Sequence, residues 1–121
     1  MDILIVDDSR AMRMIVKRVL GQTGYSDSTF HEAADGAEAL AFIKATPPDL
    51  VLSDWNMPEM TGIELLHALK AEGIDVRFGF VTSECTPNMR EQAIAGGALF
   101  LIAKPFTADS FDEVLASVTA G

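Results

Sequence analysis

Cysteine, basic residues and aromatics are all scarce in this chain. Cys85 is the only cysteine among 121 residues, so no internal disulfide can form and a reducing, cytoplasmic setting is expected. Lysine and arginine together number 9 against 18 aspartates and glutamates, a formal charge of −9. Sequence-independent contact with a phosphate backbone needs clustered cations, so nucleic acid is not expected as a partner. No apolar run approaches the ~20 residues that cross a bilayer, which excludes a membrane-spanning helix. The N-terminus, with Asp2 and soon afterwards Asp7 and Asp8, does not resemble a signal peptide. Repeats, low-complexity tracts and linker-like stretches are also missing, and the length suits a single domain over residues 1–121. What is present is material for a core. The chain is 49% hydrophobic and 22% charged, values of a globular protein.

Short apolar runs alternate with longer, helically periodic segments. The runs are Ile3–Val6, Ser28–Phe30 (the weakest), Leu50–Leu52, Phe78–Val81 and Leu99–Ala103. Unbroken runs of this length suit strands of a parallel sheet buried on both faces. Between them, Met12, Ile15, Val16, Val19 and Leu20 form a stripe at helical spacing. Asp35 with Glu38 and Thr61 with Glu64 read as capping-box starts of the second and third helices. The apolar positions of the third helix are Ile63, Leu66 and Leu69. Thr86-Pro87 opens a fourth helix with proline at its first position, and Gly96-Gly97 closes it. Phe111, Val114, Leu115 and Val118 stripe a fifth. Successive βα units imply an α/β fold, a doubly wound five-stranded parallel sheet with helices on both faces.

Ligands of such sheets sit beyond the carboxyl ends of the strands. Asp7 and Asp8 follow the first run, Asp54 the third, Thr82 and Ser83 the fourth, and Lys104-Pro105 the fifth. Three carboxylates this close repel one another, and a hard divalent cation resolves the conflict. Mg²⁺ takes one or two carboxylates, waters and a phosphate oxygen, whereas nothing here reads as a calcium loop. Lys104 offers a compact charge and Thr82 a hydrogen-bond donor, both suited to the oxygens of a transferring phosphoryl group. One carboxylate would be the nucleophile.

These residues resemble the receiver domain family of two-component response regulators, in particular its stand-alone, CheY-like chemotaxis type. The likeness runs through Ile5-Val6-Asp7-Asp8-Ser9, Ala34-Asp35-Gly36, Ser53-Asp54-Trp55-Asn56-Met57-Pro58, Thr61-Gly62, Val81-Thr82 and Ala103-Lys104-Pro105-Phe106. It implies a flavodoxin-like (βα)5 sheet of order 2-1-3-4-5 and a phosphoacceptor at Asp54. It further implies Mg²⁺ (with Mn²⁺ as substitute) on Asp7, Asp8, Asp54 and the backbone carbonyl of Asn56, with Thr82 and Lys104 gripping the phosphoryl group. The bond before Pro105 would be cis. Asn56 and Glu84 would set the lifetime of the aspartyl phosphate, here a short one. Such a domain is a switch rather than an enzyme, although it phosphorylates itself from small donors and dephosphorylates itself. The implied partners are a histidine kinase, a protein target such as a flagellar motor switch component, and a phosphatase. Because no output domain follows residue 121, output by protein contact is expected.

One position departs from the pattern. The family's aromatic three residues before the lysine is Leu101 here. With Thr82 it forms the switch pair, but leucine has neither the bulk nor the hydroxyl to report the motion as strongly. Leu101 therefore also favours an alternative, a phosphate sink or phosphorelay intermediate without a motor target. A third reading, a Mg²⁺-dependent phosphohydrolase, is disfavoured because those enzymes place the nucleophile after the first strand and carry a cap. Trp55 reads as a loop aromatic shielding the strand end, Met57 and Met60 as packing residues, and Cys85 as an inert thiol. Neither His31 nor His67 is expected to carry phosphate. Gly79, inside the fourth run, marks a bulge or a close backbone approach.

Overall fold

A computed structural model describes residues 1–119, with side chains described to Ser117. The strands are β1 (Asp2–Val6), β2 (Thr29–Ala33), β3 (Leu50–Ser53), β4 (Arg77–Thr82) and β5 (Phe100–Ala103). The helices are α1 (Arg10–Leu20), α2 (Gly36–Ala45), α3 (Gly62–Ala71), α4 (Pro87–Gly96) and α5 (Ala108–Thr119). All pairings are parallel and the order is β2-β1-β3-β4-β5. Among the described residues, no helix is long and apolar enough to cross a membrane.

Alternation along each strand divides the core in two. Leu4, Val6, Val51, Phe78, Phe80 and Leu101 point to the side covered by α2, α3 and α4. Ile3, Ile5, Leu52, Val81, Phe100 and Ile102 point to the side of α1 and α5. Phe100 and Leu101 thus lie on opposite faces, as pleating requires. Gly79 is a close approach, not a bulge. It pairs with Phe100, and the Phe100 ring occupies the space a Cβ on Gly79 would need.

Helix ends follow their local chemistry. Asp35 caps α2 by accepting from Glu38 N at 2.8 Å, and Thr61 and Glu64 close a full capping box on α3. Thr86 caps α4 with Pro87 in its first turn, and Gly97 ends it at φ 102°. Ser9 caps α1 through Met12 N, a role its serine side chain suits.

Some expectations need correction. β2 starts one residue later than Ser28 and continues through His31 and Glu32 to Ala33. It is an edge strand, half exposed, so polar side chains are tolerated and the apolar run understates its length. Leu99 is 46% exposed and precedes β5. Of the α1 stripe, Val16 and Leu20 are buried, whereas Ile15 is 43% exposed. In α3 Leu65 joins Leu66 and Leu69 in the core, while Ile63 is only partly buried. Val118 lies outside the residues whose side chains are described.

Candidate functional site

The strand order reverses between β1 and β3, which opens a crevice at their carboxyl ends. Asp7 enters it directly from β1. Its N–H donates to the Ala33 carbonyl at 3.1 Å, and its Oδ1 accepts from Ser9 N at 2.9 Å. Asp8, next in the chain, is exposed. Asp54 leaves β3 with its N–H donating to the Val6 carbonyl at 2.9 Å. Its Oδ1 accepts from Trp55 N at 2.7 Å. Each of the three carboxylates offers an oxygen within 4.8 Å of the others.

Lys104 crosses from the end of β5. Its Nζ lies 3.3 Å from Asp7 Oδ2 and 3.6 Å from Asp54 Oδ2, with 15% of the side chain exposed. The main chain holds it in register, since Lys104 N donates to the Thr82 carbonyl at 2.8 Å. Thr82 is fully buried, and its hydroxyl accepts from Glu84 N at 3.4 Å. The Lys104–Pro105 bond is cis.

The electrostatics are unbalanced. Three carboxylates against one ammonium leave two negative charges in the crevice. Burial pushes the Asp54 carboxyl above its ordinary range. Asp7 and Asp8 push it further, while Lys104 and the Trp55 N–H pull the other way. An all-oxygen donor set lacking two positive charges fits a hard divalent cation, so these residues suit Mg²⁺ on charge and donor type.

Most of the residues singled out from the sequence converge here. Asp7, Asp8, Asp54 and Lys104 come together, and Thr82 ends β4 buried, tied to Lys104 through the main chain. Asn56 and Glu84 are exposed in the loops after β3 and β4. Leu101 does not enter the crevice; it is buried in the core beside Phe78 and Phe80. Trp55 is more than a shield. It is only 8% exposed, and its ring sits 4.8 Å from that of Phe80, centroid to centroid. Met57 is buried and Met60 partly so, as packing residues. His67 is exposed on α3, and His31 pairs with Asp2 at 3.1 Å near the opposite end of β1. Cys85 is exposed and accepts from Arg90 Nη2 at 3.3 Å.

Two residues support the site through backbone groups. Ser53 Oγ, buried, donates to the Asp54 carbonyl at 2.8 Å. Arg13 Nη1 donates to the Asp7 carbonyl at 2.6 Å, which nothing in its helical spacing announces.

This arrangement matches a known family. A model of the response regulator receiver domain matches residues 3–116. The chain belongs to that family. It is 37% identical over 123 residues to the chemotaxis protein CheY of Pseudomonas aeruginosa, covering 98% of this chain and 95% of that one. It is 40% identical over 117 residues to CheY-3 of Vibrio cholerae, covering 95% and 88%. Among solved structures, CheY4 of Vibrio cholerae aligns with a TM-score of 0.86 at 32% identity over 97% of both chains. The NarL signal receiver domain of Mycobacterium tuberculosis aligns with a TM-score of 0.88 at 29% identity, covering 99% of this chain and 96% of that one. The receiver fold and its order 2-1-3-4-5 are therefore those expected, and the chain is a CheY-like receiver of two-component signalling.

Proposed function

We propose that residues 1–121 form a single receiver that is phosphorylated on Asp54 by a histidine kinase and signals in the cytoplasm by protein contact, within chemotaxis and flagellar motor control. The observation that carries this reading is the convergence of Asp7, Asp8 and Asp54 with Lys104 on two of the three carboxylates. The names of the curated relatives, CheY and CheY-3, support the chemotaxis role.

In the proposed transfer an Asp54 carboxylate oxygen attacks phosphorus. A P–O bond forms as the P–N bond to the donor imidazole breaks, and the electron pair leaves with the imidazole. Asp7, Asp8, Asp54 and the Asn56 carbonyl would hold Mg²⁺, which supplies positive charge to the phosphoryl oxygens as they transfer. Lys104 already bridges Asp7 and Asp54, so it needs only a small shift to meet a phosphoryl oxygen. Thr82 turns its hydroxyl toward the same group, giving up the bond from Glu84 N. Asn56 and Glu84 flank the site and govern access of the water that hydrolyses the aspartyl phosphate. From acetyl phosphate the same attack by Asp54 would break the P–O bond to acetate, which leaves with the electron pair, and the domain would so phosphorylate itself.

Leu101 favours a second reading, a phosphate sink or relay intermediate. The two differ in whether a partner binds the phosphorylated form. The test is to add Mg²⁺ and acetyl phosphate, following Trp55 fluorescence and intact mass, with Asp54→Asn as control. Gain of one phosphoryl group in the wild type alone supports the acceptor role. The absence, in both proteins, of a gain in mass and of a Mg²⁺-dependent change in Trp55 fluorescence ends it. Beryllofluoride-dependent binding of a flagellar switch peptide then separates motor output from a sink.

A further inference from the structure

Arg13 is the best-anchored cation near the crevice, and the chemistry above does not use it. It stands on the second turn of α1 with 13% of its side chain exposed. Its guanidinium is divided between two acceptors. Nη1 donates to the Asp7 carbonyl at 2.6 Å, and Nε donates to Glu32 Oε1 on β2 at 2.9 Å. Glu32 Oε2 takes a second cation, Lys17 Nζ, at 3.2 Å. Burial opposes the Glu32 charge, yet the bonds from Arg13 and Lys17 hold its carboxyl below the usual glutamate range.

Asp7 is consequently tied at its N–H by Ala33, at its carbonyl by Arg13 and at its carboxylate by Ser9 N. A peptide unit is planar, so a fixed carbonyl also fixes where the Asp8 nitrogen and Cα lie. Asp8 is exposed, and the backbone that carries it sets the approach of its carboxylate to the other two.

We infer that Arg13, held by Glu32, is a positioning residue that fixes the Asp7–Asp8 peptide and thereby the geometry of the cation site. The inference rests on the phosphoacceptor reading for the identity of the cation. It has an electrostatic rival of opposite sign. Through charge alone, a guanidinium this close repels a divalent ion, so its removal would tighten binding. Through position, its removal weakens binding. Lysine at this position keeps the charge but not the fork that reaches two acceptors at once.

The experiment titrates the full chain with Mg²⁺, following Trp55 fluorescence, in the wild type, Arg13→Met and Arg13→Lys. In parallel, amide hydrogen exchange is read at Ser9 in metal-free protein. Arg13→Met is expected to weaken Mg²⁺ about 10-fold, the scale of lost support behind a metal ligand. Arg13→Lys weakens it in the same direction. In both variants Ser9 N–H exchanges faster while the Leu4 and Val51 amides in the sheet keep their protection. Unchanged or tighter Mg²⁺ binding overturns the inference, and so does weaker binding without faster Ser9 exchange. Should Arg13→Met fail to fold, Glu32→Gln frees the guanidinium without removing it and is judged by the same two readouts. If the wild type binds no Mg²⁺, the phosphoacceptor reading falls and Ser9 exchange alone decides the positioning role.

Discussion

A methyl group on Gly62 would run into the carbonyl oxygen of Asp54 and the ring of Phe80. Gly62 N also donates to the Trp55 carbonyl at 2.8 Å, so the first turn of α3 lies directly against the chain that carries Asp54. Gly62→Ala must therefore displace Asp54 or open the helix start. Overpacking of this kind costs about 1–3 kcal/mol, to be read as a lower urea midpoint at constant m-value, accompanied by slower acetyl phosphate labelling. Asp54 itself carries a cost of a different kind. Burial, together with Asp7 and Asp8, raises its carboxyl pKa in the folded state. The folded protein then holds the Asp54 proton more tightly than the unfolded chain. Its contribution to stability is fully present below the ordinary aspartate value and is lost as pH rises through the raised one. Asp54→Asn removes the charge. In metal-free buffer it should raise the melting temperature at neutral pH, and the gain should shrink as pH falls through the Asp54 titration. Equal melting temperatures at neutral pH would show that Lys104 already compensates the carboxylate in full.

The pairing of β4 with β5 depends on an exchange of bulk between strands. Phe100 fills the space over Gly79, and the two are register partners. Adding a side chain at Gly79 or removing the ring at Phe100 each damages the core facing α1 and α5. Gly79→Leu should cost about 1–3 kcal/mol and Phe100→Ala about 3–5 kcal/mol. The double variant should cost less than the sum, because the leucine occupies the volume the ring leaves. A coupling energy near zero in urea melts of the four proteins would refute this account. Much of the element plan was legible beforehand, because buried parallel strands leave short apolar runs and helix caps leave Thr61, Asp35 and Thr86. The misreadings have the same physical origin. β2 is an edge strand whose His31 and Glu32 are not required to be apolar, and Ile15 keeps helical spacing while lying exposed. At the site, Asp7, Asp8, Asp54, Thr82 and Lys104 were legible because chemistry placed them at successive strand ends. Ser53 and Gly62 fall inside the motifs that carried the likeness, but without their contacts to the Asp54 and Trp55 backbone, and Arg13 acts through the Asp7 carbonyl, a contact that leaves no pattern in side-chain type or spacing.

At the scale of the molecule, the crevice concentrates an imbalance that the whole chain shares. The formal charge is −9, and two negative charges stand uncompensated between Asp7, Asp8, Asp54 and Lys104. Unfolding separates those carboxylates and releases their repulsion, so the metal-free fold is held below the stability its core would otherwise give. A divalent cation that binds the folded crevice and not the unfolded chain adds stability by linkage, about 2.7 kcal/mol at 100 times its dissociation constant. Monovalent salt screens the same charges but coordinates none of them, and a half-buried site is screened less than an exposed one. Stability should accordingly rise much further with millimolar Mg²⁺ than with sodium chloride at matched ionic strength. The increase should appear as a higher urea midpoint at constant m-value, since the surface exposed on unfolding does not change. Asp8→Asn separates repulsion from coordination. It should stabilise the metal-free protein by relieving one charge, and at the same time remove most of the further gain from Mg²⁺. An Asp8→Asn protein that keeps the full Mg²⁺ increment would place the cation elsewhere on the acidic surface, and Lys104 would then be the crevice's own counter-charge to Asp7 and Asp54.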